Sequence, residues 1–246
     1  MRLIFLVLLL LLLSGCVDKD YEMVVKGPEQ GVGIDDQNVQ KTRSRLAYDS
    51  SPLIADFSYS YRPNGGQGSP RSLQNGSELH SGDYYKIQFT PQQECYVYIF
   101  QSDSSYQLFT LFPTKDFIGG DLGNDNPVQT KRTYFVPGEG KSFILNKQAG
   151  DETIHFLVSK KPKPELEKEY KALLEFQKRG NEQGAQKAQT KIKKYVMKGP
   201  EPTVRYDDGS VVKGDQQGMF RHVQGRRLEC KRSKYCVESI TFKHLP

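Results

Sequence analysis

Apolar and polar side chains alternate most densely between Gly76 and Pro113, a pattern that predicts consecutive β-strands. The middle strand is apolar on both faces, with Cys95, Val97 and Ile99 on one face and Tyr96, Tyr98 and Phe100 on the other. A strand of this kind is typically a central strand covered by a layer on each side. We therefore expect a later element to pack on its Tyr/Phe face. The alternative is an exposed aromatic binding platform.

Further strands are predicted on both sides of this stretch. The alternation of Phe57, Tyr59 and Tyr61 indicates a strand before it, and three more are predicted after it at residues 133–136, 142–145 and 154–158. Residues 137–140 are predicted to be a hairpin loop between the first two of these three strands. Residues 52–160 are therefore predicted to form a β-sandwich of about seven strands, in a chain of the mainly β (α+β) class.

Residues 161–199 change to a helical pattern with two apolar stripes. The stripes consist of Leu166, Tyr170, Leu173 and Leu174 in the first helix, and of Ala185, Ala188, Ile192, Tyr195 and Val196 in the second. Gly180 and Asn181 separate the helices, and Gly199-Pro200 ends the second one. We expect this helical hairpin to pack on the Tyr/Phe face of the central strand. A partner-binding arm is the alternative.

Residues 200–246 are predicted to be a basic C-terminal β extension. Asp208-Gly209 indicates a hairpin turn, and the alternation in residues 236–242 indicates a strand. Cys230 and Cys236 are close in sequence and are predicted to form a disulfide in an oxidising compartment. The candidate anion-binding residues of this loop are Arg226, Arg227, Lys231, Arg232 and Lys234.

The first sixteen residues have the organisation of an export signal. Arg2 gives a positive start, and residues 3–13 are an apolar run, too short for a bilayer span of about 20 residues. Leu13-Ser14-Gly15-Cys16 resembles the bacterial lipoprotein signal, in which the peptide is cut before the cysteine and the cysteine is acylated. The resemblance implies a signal peptide at residues 1–15 and a lipid anchor on Cys16.

The residue after Cys16 indicates the destination by the same resemblance. Asp at that position retains enterobacterial lipoproteins at the inner membrane, whereas this chain has Val17. We therefore expect an outer-membrane protein that faces the periplasm. Residues 16–51 are polar, with several glycines, and are predicted to be a flexible tether between the lipid and the domain.

The formal charge of +6 is distributed unevenly. From Arg179 to the end, fifteen Lys and Arg residues stand against seven Asp and Glu, a local net charge of +8. A basic end on a nearly neutral body indicates an acidic partner, such as a lipid headgroup, an anionic polymer or a protein face. A solvated surface is the plainer alternative. The export signal argues against nucleic acid as a partner.

Motifs for catalysis, metals and cofactors are lacking. No Gly-x-Ser-x-Gly, Walker loop, HExxH or CxxC occurs, and the oxygen-bearing side chains of residues 121–126 lack EF-hand spacing. An enzyme hypothesis rests on Cys95 as nucleophile with a histidine as base, taken from His80, His155, His222 and His244. Cys95 lies within an apolar strand, where a small buried hydrophobe is expected. We predict no catalytic residue, no metal site and no cofactor.

Several short motifs follow one another in order: Gly76, Leu79, Gly82-Asp83, the aromatic strand at residues 95–99, Leu111-Phe112-Pro113, Pro137, and residues 150–154 followed by Ser159. Their order and spacing resemble domain-of-unknown-function family 4384 over about residues 75–160. Members of that family occur in bacterial envelope and secreted proteins. The resemblance implies a compact β-sandwich module that is lipid-anchored and stands alone in this chain, and it brings no catalytic or binding residues.

These observations leave three functions in order of preference. The first is a non-catalytic, lipid-anchored cell-envelope protein that acts as an interaction or docking module for an envelope protein complex. The second is a binder of an anionic envelope polymer or lipid headgroup through the basic C-terminal loop, with an affinity that falls with salt. The third is a Cys-dependent hydrolase, whose Cys95 thiol reacts in the folded state.

Overall fold

The computed structural model describes residues 51–105, 107–113, 123–206, 212–231 and 233–246. The predicted signal peptide, Cys16 and nearly all of the predicted tether lie outside these residues. The described chain forms two β-sheets with a helical hairpin packed on one of them, which confirms the predicted mainly β class. Nine of the twelve described strands lie in residues 52–160, where about seven are predicted, and the other three lie in the C-terminal region.

In chain order the strands are β1 (Leu53–Arg62), β2 (Arg71–Ser72), β3 (Glu78–His80), β4 (Tyr84–Pro91), β5 (Tyr96–Ser102), β6 (Leu108–Phe112), β7 (Tyr134–Val136), β8 (Phe143–Ile144), β9 (Gly150–Ser159), β10 (Thr203–Tyr206), β11 (Arg226–Cys230) and β12 (Tyr235–Leu245). Two helices, α1 (Pro164–Lys178) and α2 (Glu182–Met197), lie between β9 and β10. The first sheet has the order β10-β11-β1-β4-β7, with β2 on β1 and β8 on β4. The second sheet has the order β3-β12-β9-β5-β6.

The main core lies between the two sheets and is rich in aromatic rings. Phe156 of β9 stacks on Phe57 of β1 and meets Phe89 of β4 edge to face, each at a centroid distance of 5.5 Å. All three rings are buried. Because Phe156 comes from the second sheet and the other two from the first, these contacts hold the sheets together.

The helical hairpin covers the outer face of the second sheet, as the sequence predicts. Tyr98 and Phe100 of β5 point away from the main core and join a second apolar cluster with Leu173 of α1 and Ile192 of α2. Leu174, which was assigned to the apolar stripe of α1, is instead partly exposed. β5 is therefore covered on both faces because its side chains supply two separate cores.

The C-terminal segment belongs to the sandwich, in contrast to the predicted extension. β12 lies between β3 and β9 in the second sheet, and β11 pairs with β1 in the first sheet. β12 confirms the strand predicted from the alternation in residues 236–242. Removal of residues 200–246 would therefore open both sheets.

Two predicted hairpins are not as expected. β7 and β8 do not pair with each other, because both pair with β4 at successive positions along one of its edges. β10 pairs with β11, and the predicted turn at Asp208-Gly209 lies outside the described residues. In both cases the local pattern shows that a strand is present but does not identify its pairing partner.

Residues 212–225, here called the covering segment, pack on the outer face of the first sheet. Met219 and Phe220 are buried there, and the Phe220 ring lies 5.9 Å from the ring of Phe135 in β7. Beside them, Asp215 Oδ2 lies 2.7 Å from Lys86 Nζ, and both side chains are fully buried. The polar face of β4 is therefore covered by protein and not by solvent.

Candidate functional site

The five candidate anion-binding residues do not form one cluster among the described residues. Arg226 points into the sandwich, where Nη2 donates to the Leu73 carbonyl at 2.9 Å and Nη1 lies 3.4 Å from Glu238 Oε1. Its guanidinium lies 5.4 Å from the centre of the Tyr59 ring, and the Tyr59 hydroxyl donates to Glu238 at 2.9 Å. Burial raises the pKa of Glu238, while Arg226 opposes that rise. Arg226 is thus part of the protein interior.

Of the other candidates, Arg227 lies in β11, and Lys231 and Lys234 lie in the loop that follows it. Arg227 makes a two-pronged contact with Asp56, with Nε to Oδ1 at 2.7 Å and Nη2 to Oδ2 at 3.1 Å. Lys231 is half-exposed, 3.6 Å from Glu229, and Lys234 is exposed. Arg232 lies outside the described residues. Two of the five charges are therefore already balanced by buried carboxylates, and the loop has less free positive charge than the sequence suggests.

The predicted disulfide between Cys230 and Cys236 is present. It links the end of β11 in the first sheet to the start of β12 in the second. The bond therefore holds an edge of the sandwich closed and does not merely close a surface loop.

Cys95 is a free cysteine, and it is fully buried in the main core. Burial, with a smaller effect of Glu94, raises the pKa of its thiol to about 12. A thiol in such surroundings is protonated at neutral pH and is a poor nucleophile. The Cys-dependent hydrolase therefore gains no support from this position.

We predict that Cys95 resists alkylation as long as the protein is folded. A thiol pKa near 12 in place of 9 lowers the thiolate fraction about a thousandfold at pH 8. Mass spectrometry after iodoacetamide treatment checks this, and labelling in denaturant is the control. Rapid labelling of the folded protein would contradict the buried placement and reopen the hydrolase hypothesis.

A chain of polar side chains near the C-terminus has the order of groups found in acyl-transfer enzymes. Ser81 Oγ lies 3.0 Å from His244 Nε2, and His244 Nδ1 lies 3.6 Å from Glu152 Oε1. Burial is the largest cause of the raised pKa of Glu152, which also accepts a hydrogen bond from Gln101 at 3.0 Å. The sequence indicates His244 only as one of four possible bases for Cys95, because Ser81 and Glu152 are far from it along the chain.

The backbone around Ser81 offers no free donors for an oxyanion. The amides of Ser81, Gly82 and Asp83 donate to the carbonyls of Leu245, Leu145 and His80 respectively, each at 2.9 Å. An oxyanion hole supplies much of the rate enhancement in acyl transfer. What the geometry does support is a structural role, since these contacts fasten the end of β12 to the turn between β3 and β4.

An open cleft of about 640 Å³ lies at the tip of the helical hairpin, beside the turn between β5 and β6. Its lining is rich in neutral hydrogen-bonding side chains and includes Ser105, Gln107, Gln177, Asn181 and Gln189, together with the ring of Phe176. Amide side chains both donate and accept hydrogen bonds. This cleft is the candidate functional site, and the name amide cleft is used for it below.

The turn of the helical hairpin shapes one wall of the amide cleft. Gly180 has φ +65° and lets the chain reverse after α1, while the backbone N–H of Asn181 donates to the backbone carbonyl of Phe176 at 2.9 Å. The Asn181 side chain then caps α2 by accepting from the Gly184 amide at 2.9 Å. A Cβ atom at Gly184 would lie 2.5 Å from the Phe176 ring, so glycine permits the ring to lie against α2.

The opposite wall is held by Asp103 at the end of β5. Asp103 Oδ1 accepts a hydrogen bond from the Ser105 hydroxyl at 2.7 Å and another from the backbone N–H of Gln107 at 2.8 Å. Lys193 of α2 also lines the amide cleft, and burial lowers its pKa. The walls come from two parts of the chain that are far apart in sequence, so the local pattern gave no signal for the cleft beyond the run of Gln residues in α2.

Neither a metal centre nor a membrane span is found in the described part of the chain. No group of three or more His, Cys, Asp or Glu side chains there is placed to hold a metal ion. None of the described helices is long and apolar enough to cross a membrane.

Residues 78–162 match the model of the family described as Domain of unknown function (DUF4384), which agrees with the resemblance found in the sequence. The match begins at the first residue of β3 and ends after β9, just before α1. Searches of curated proteins and of solved structures gave no match. The description of the matched family names no activity.

Proposed function

We propose that the chain is a non-catalytic, lipid-anchored protein of the bacterial cell envelope that docks on an envelope protein complex. The lipid on Cys16 and the outer-membrane location are parts of this proposal that rest on the resemblance of residues 13–16 to the lipoprotein signal. The amide cleft is the observation that carries the docking function. Its partner in this proposal is an extended segment of another envelope protein.

The chemistry of the amide cleft fits a peptide better than a small apolar ligand. Small-molecule pockets are lined mainly by apolar side chains, whereas this cleft is lined mainly by amides and hydroxyls. An extended peptide presents alternating N–H and C=O groups, which Gln and Asn side chains can pair with. Phe176 is half-buried and adds one apolar surface for a side chain of the peptide.

The second function considered, anion binding through the C-terminal loop, has weaker support. Arg226 is buried against Glu238, and Arg227 is paired with Asp56. Charges that are already paired add little to the attraction of an external anion. Lys231 of that loop lies 3.6 Å from Glu229, and the groove beside the loop, about 310 Å³, is smaller than the amide cleft.

Photo-crosslinking in intact cells tests the docking function. A photo-reactive amino acid at Gln186, which lines the amide cleft, is compared with one at Lys147, an exposed position in the loop after β8. We expect a discrete protein adduct from Gln186 and none of the same size from Lys147. Truncation is unsuitable as a control, because β11 and β12 belong to the two sheets.

Matched substitutions then show whether the adduct depends on the amide cleft. Gln177→Glu with Gln189→Glu removes amide donors from the cleft, and Gln148→Glu makes the same chemical change at an exposed site in another loop. We expect the adduct to disappear in the first variant and persist in the second. Equal adducts from Gln186 and Lys147, or an adduct unaffected by the cleft substitutions, would overturn the proposal.

A further inference from the structure

The helical hairpin carries the positive charge of this protein. Residues 160–198 contain twelve Lys and Arg residues against five Glu, a net charge of +7, while the whole chain has +6. The rest of the chain is therefore close to neutral. The positive charge available to a partner is therefore mainly on the two helices and not on the C-terminal loop, where Arg226 and Arg227 are paired with carboxylates.

Four of these lysines lie along one side of α2. Lys187, Lys191, Lys194 and Lys198 follow a spacing of four, three and four residues, and all are exposed. This spacing returns to the same side of a helix with 3.6 residues per turn. The buried residues of α2 lie on the opposite side, against the second sheet: Ala185, Ala188, Ile192 and Val196. The lysine side, here called the lysine face, therefore points away from the sandwich.

Lys168 of α1 extends the lysine face across the hairpin. It lines an open groove of about 530 Å³ together with Lys191, Lys194, Lys198, Tyr195 and Tyr235. The groove also contains two carboxylates: Glu169, which pairs with Lys191 at 2.6 Å, and Glu165, which accepts a hydrogen bond from the Tyr195 hydroxyl. The formal charges of its four lysines therefore exceed those of its two carboxylates by two. In the described chain, Lys168, Lys194 and Lys198 have no ion-pair partner.

We propose that the lysine face lies on the anionic phospholipid headgroups of the membrane to which the chain is anchored. The stripe from Lys187 to Lys198 is about 16 Å long, so it can meet several headgroups at once but is too extended for a single small anion. The lysine ammonium is a point charge on a flexible side chain, and it does not need the fixed geometry of a bidentate arginine contact. The apolar sides of both helices are already buried, so the contact is electrostatic and does not need insertion.

A membrane fits the lysine face better than a protein partner does. The cores of protein interfaces are depleted of lysine and depend on aromatic, arginine and apolar anchors. Along the lysine face the neighbouring aromatic side chains are only partly exposed and already engaged, as Tyr195 is by Glu165. The choice of a membrane rests on the proposed function, in which acylated Cys16 holds the domain near a lipid surface. The amide cleft remains available to a protein.

Energy transfer from the hairpin to labelled headgroups tests this inference with the full chain. A donor dye is attached to Gln183→Cys, one turn before Lys187 on α2, because Cys95 is buried and Cys230 and Cys236 are bonded to each other. The protein is placed on phosphatidylcholine vesicles and on vesicles that also contain phosphatidylglycerol, both with an acceptor dye at the headgroup. We expect transfer to rise when phosphatidylglycerol is present and to fall at high salt.

Two charge-matched variants locate the contact. Lys187→Gln with Lys194→Gln and Lys198→Gln should lower the ratio of docked to undocked hairpin by about fivefold per lysine, or about a hundredfold in all. Lys147→Gln with Lys213→Gln and Lys243→Gln removes the same charge from exposed positions elsewhere and should leave transfer nearly unchanged. Equal transfer on both kinds of vesicle, or equal losses in both variants, would overturn the inference.

The remaining arms separate this inference from the proposed function. Inorganic phosphate at constant ionic strength should not compete; if it does, the groove is a discrete phosphate site and the membrane contact is wrong. If the protein stays bound to phosphatidylcholine vesicles but the dye on the hairpin shows no energy transfer on either kind of vesicle, the lipid anchor is supported and the contact of the lysine face is wrong. If the protein dissociates from phosphatidylcholine vesicles, the proposed lipid anchor is wrong. Cosedimentation of the two variants with phosphatidylglycerol vesicles then still tests the role of the lysine face.

Discussion

Asp215→Ala is expected to lower the free energy of unfolding by about 3–5 kcal/mol, because it removes a carboxylate that pairs with the buried ammonium of Lys86. Asp215 Oδ2 lies 2.7 Å from Lys86 Nζ with both side chains fully buried, and Asp215 Oδ1 also accepts from the Met219 amide at 2.7 Å. Lys86 also donates to the Glu139 carbonyl, which cannot replace the lost negative charge. Urea unfolding followed by circular dichroism measures the change.

Two comparison variants show whether charge burial is the cause. Lys86→Met with Asp215→Leu removes both charges and should recover most of the loss, since apolar replacement of a buried pair is often neutral. Glu175→Ala breaks the exposed pair with Arg179, where both side chains are more than 60% accessible, and should cost no more than about 0.5 kcal/mol. A loss in Asp215→Ala as small as that in Glu175→Ala would show that the covering segment contributes little to stability.

The local sequence pattern was sufficient to predict the sandwich and its helical layer. β5 is apolar on both faces, and a strand of that kind needs cover on both sides, so the packing of the hairpin on Tyr98 and Phe100 follows from the alternation alone. The disulfide was also predictable, because Cys230 and Cys236 are only six residues apart in a sequence whose first sixteen residues resemble an export signal.

The pairing of strands that are far apart in the chain could not be predicted from the sequence pattern. β11 contains Arg226 at a buried position, so its pattern resembles a charged loop, and its partner β1 is more than 150 residues away. Lys86 and Gln88 alternate with apolar residues on β4, a pattern typical of a solvent-facing side, yet both are buried and residues 212–225 pack on that side of the sheet. A buried polar residue can be recognised from sequence only when its partner is known, and these partners come from the far end of the chain.

The family match and the fold do not have the same boundaries. The match covers β3 to β9, while β1, β11 and β12 lie outside it. β1 pairs with β4 and β12 pairs with β9 inside the match, whereas β11 pairs with β1. The helical hairpin follows the matched segment directly and supplies both the amide cleft and the lysine face. The two surfaces on which the proposals rest are therefore formed wholly or largely by residues beyond the matched segment.

The stability of the protein is expected to fall by about 3 kcal/mol between pH 7 and pH 4 through His155 alone. His155 is buried under α2, with Nδ1 2.8 Å from Ser239 Oγ and Nε2 3.4 Å from Ser102 Oγ. Burial, with a smaller effect of Lys193, lowers its pKa to about 4 from 6.5. Between these two values the unfolded chain takes up a proton and the folded chain does not, so the free energy of unfolding decreases as the pH falls through this window.

His155→Asn isolates this effect, because asparagine keeps hydrogen-bonding groups near both serines and does not titrate. The difference in unfolding free energy between wild type and His155→Asn should shift by about 3 kcal/mol from pH 7 to pH 4. Glu152 and Glu238 have raised pKa values and act in the opposite direction, but they are present in both proteins and cancel in the difference. His80→Asn makes the same substitution at an exposed position and serves as the matched control. The opposite outcome is that wild type and His155→Asn lose the same stability as the pH falls. His155 would then be protonated in the folded state, and the helices would not exclude water from this face of β9.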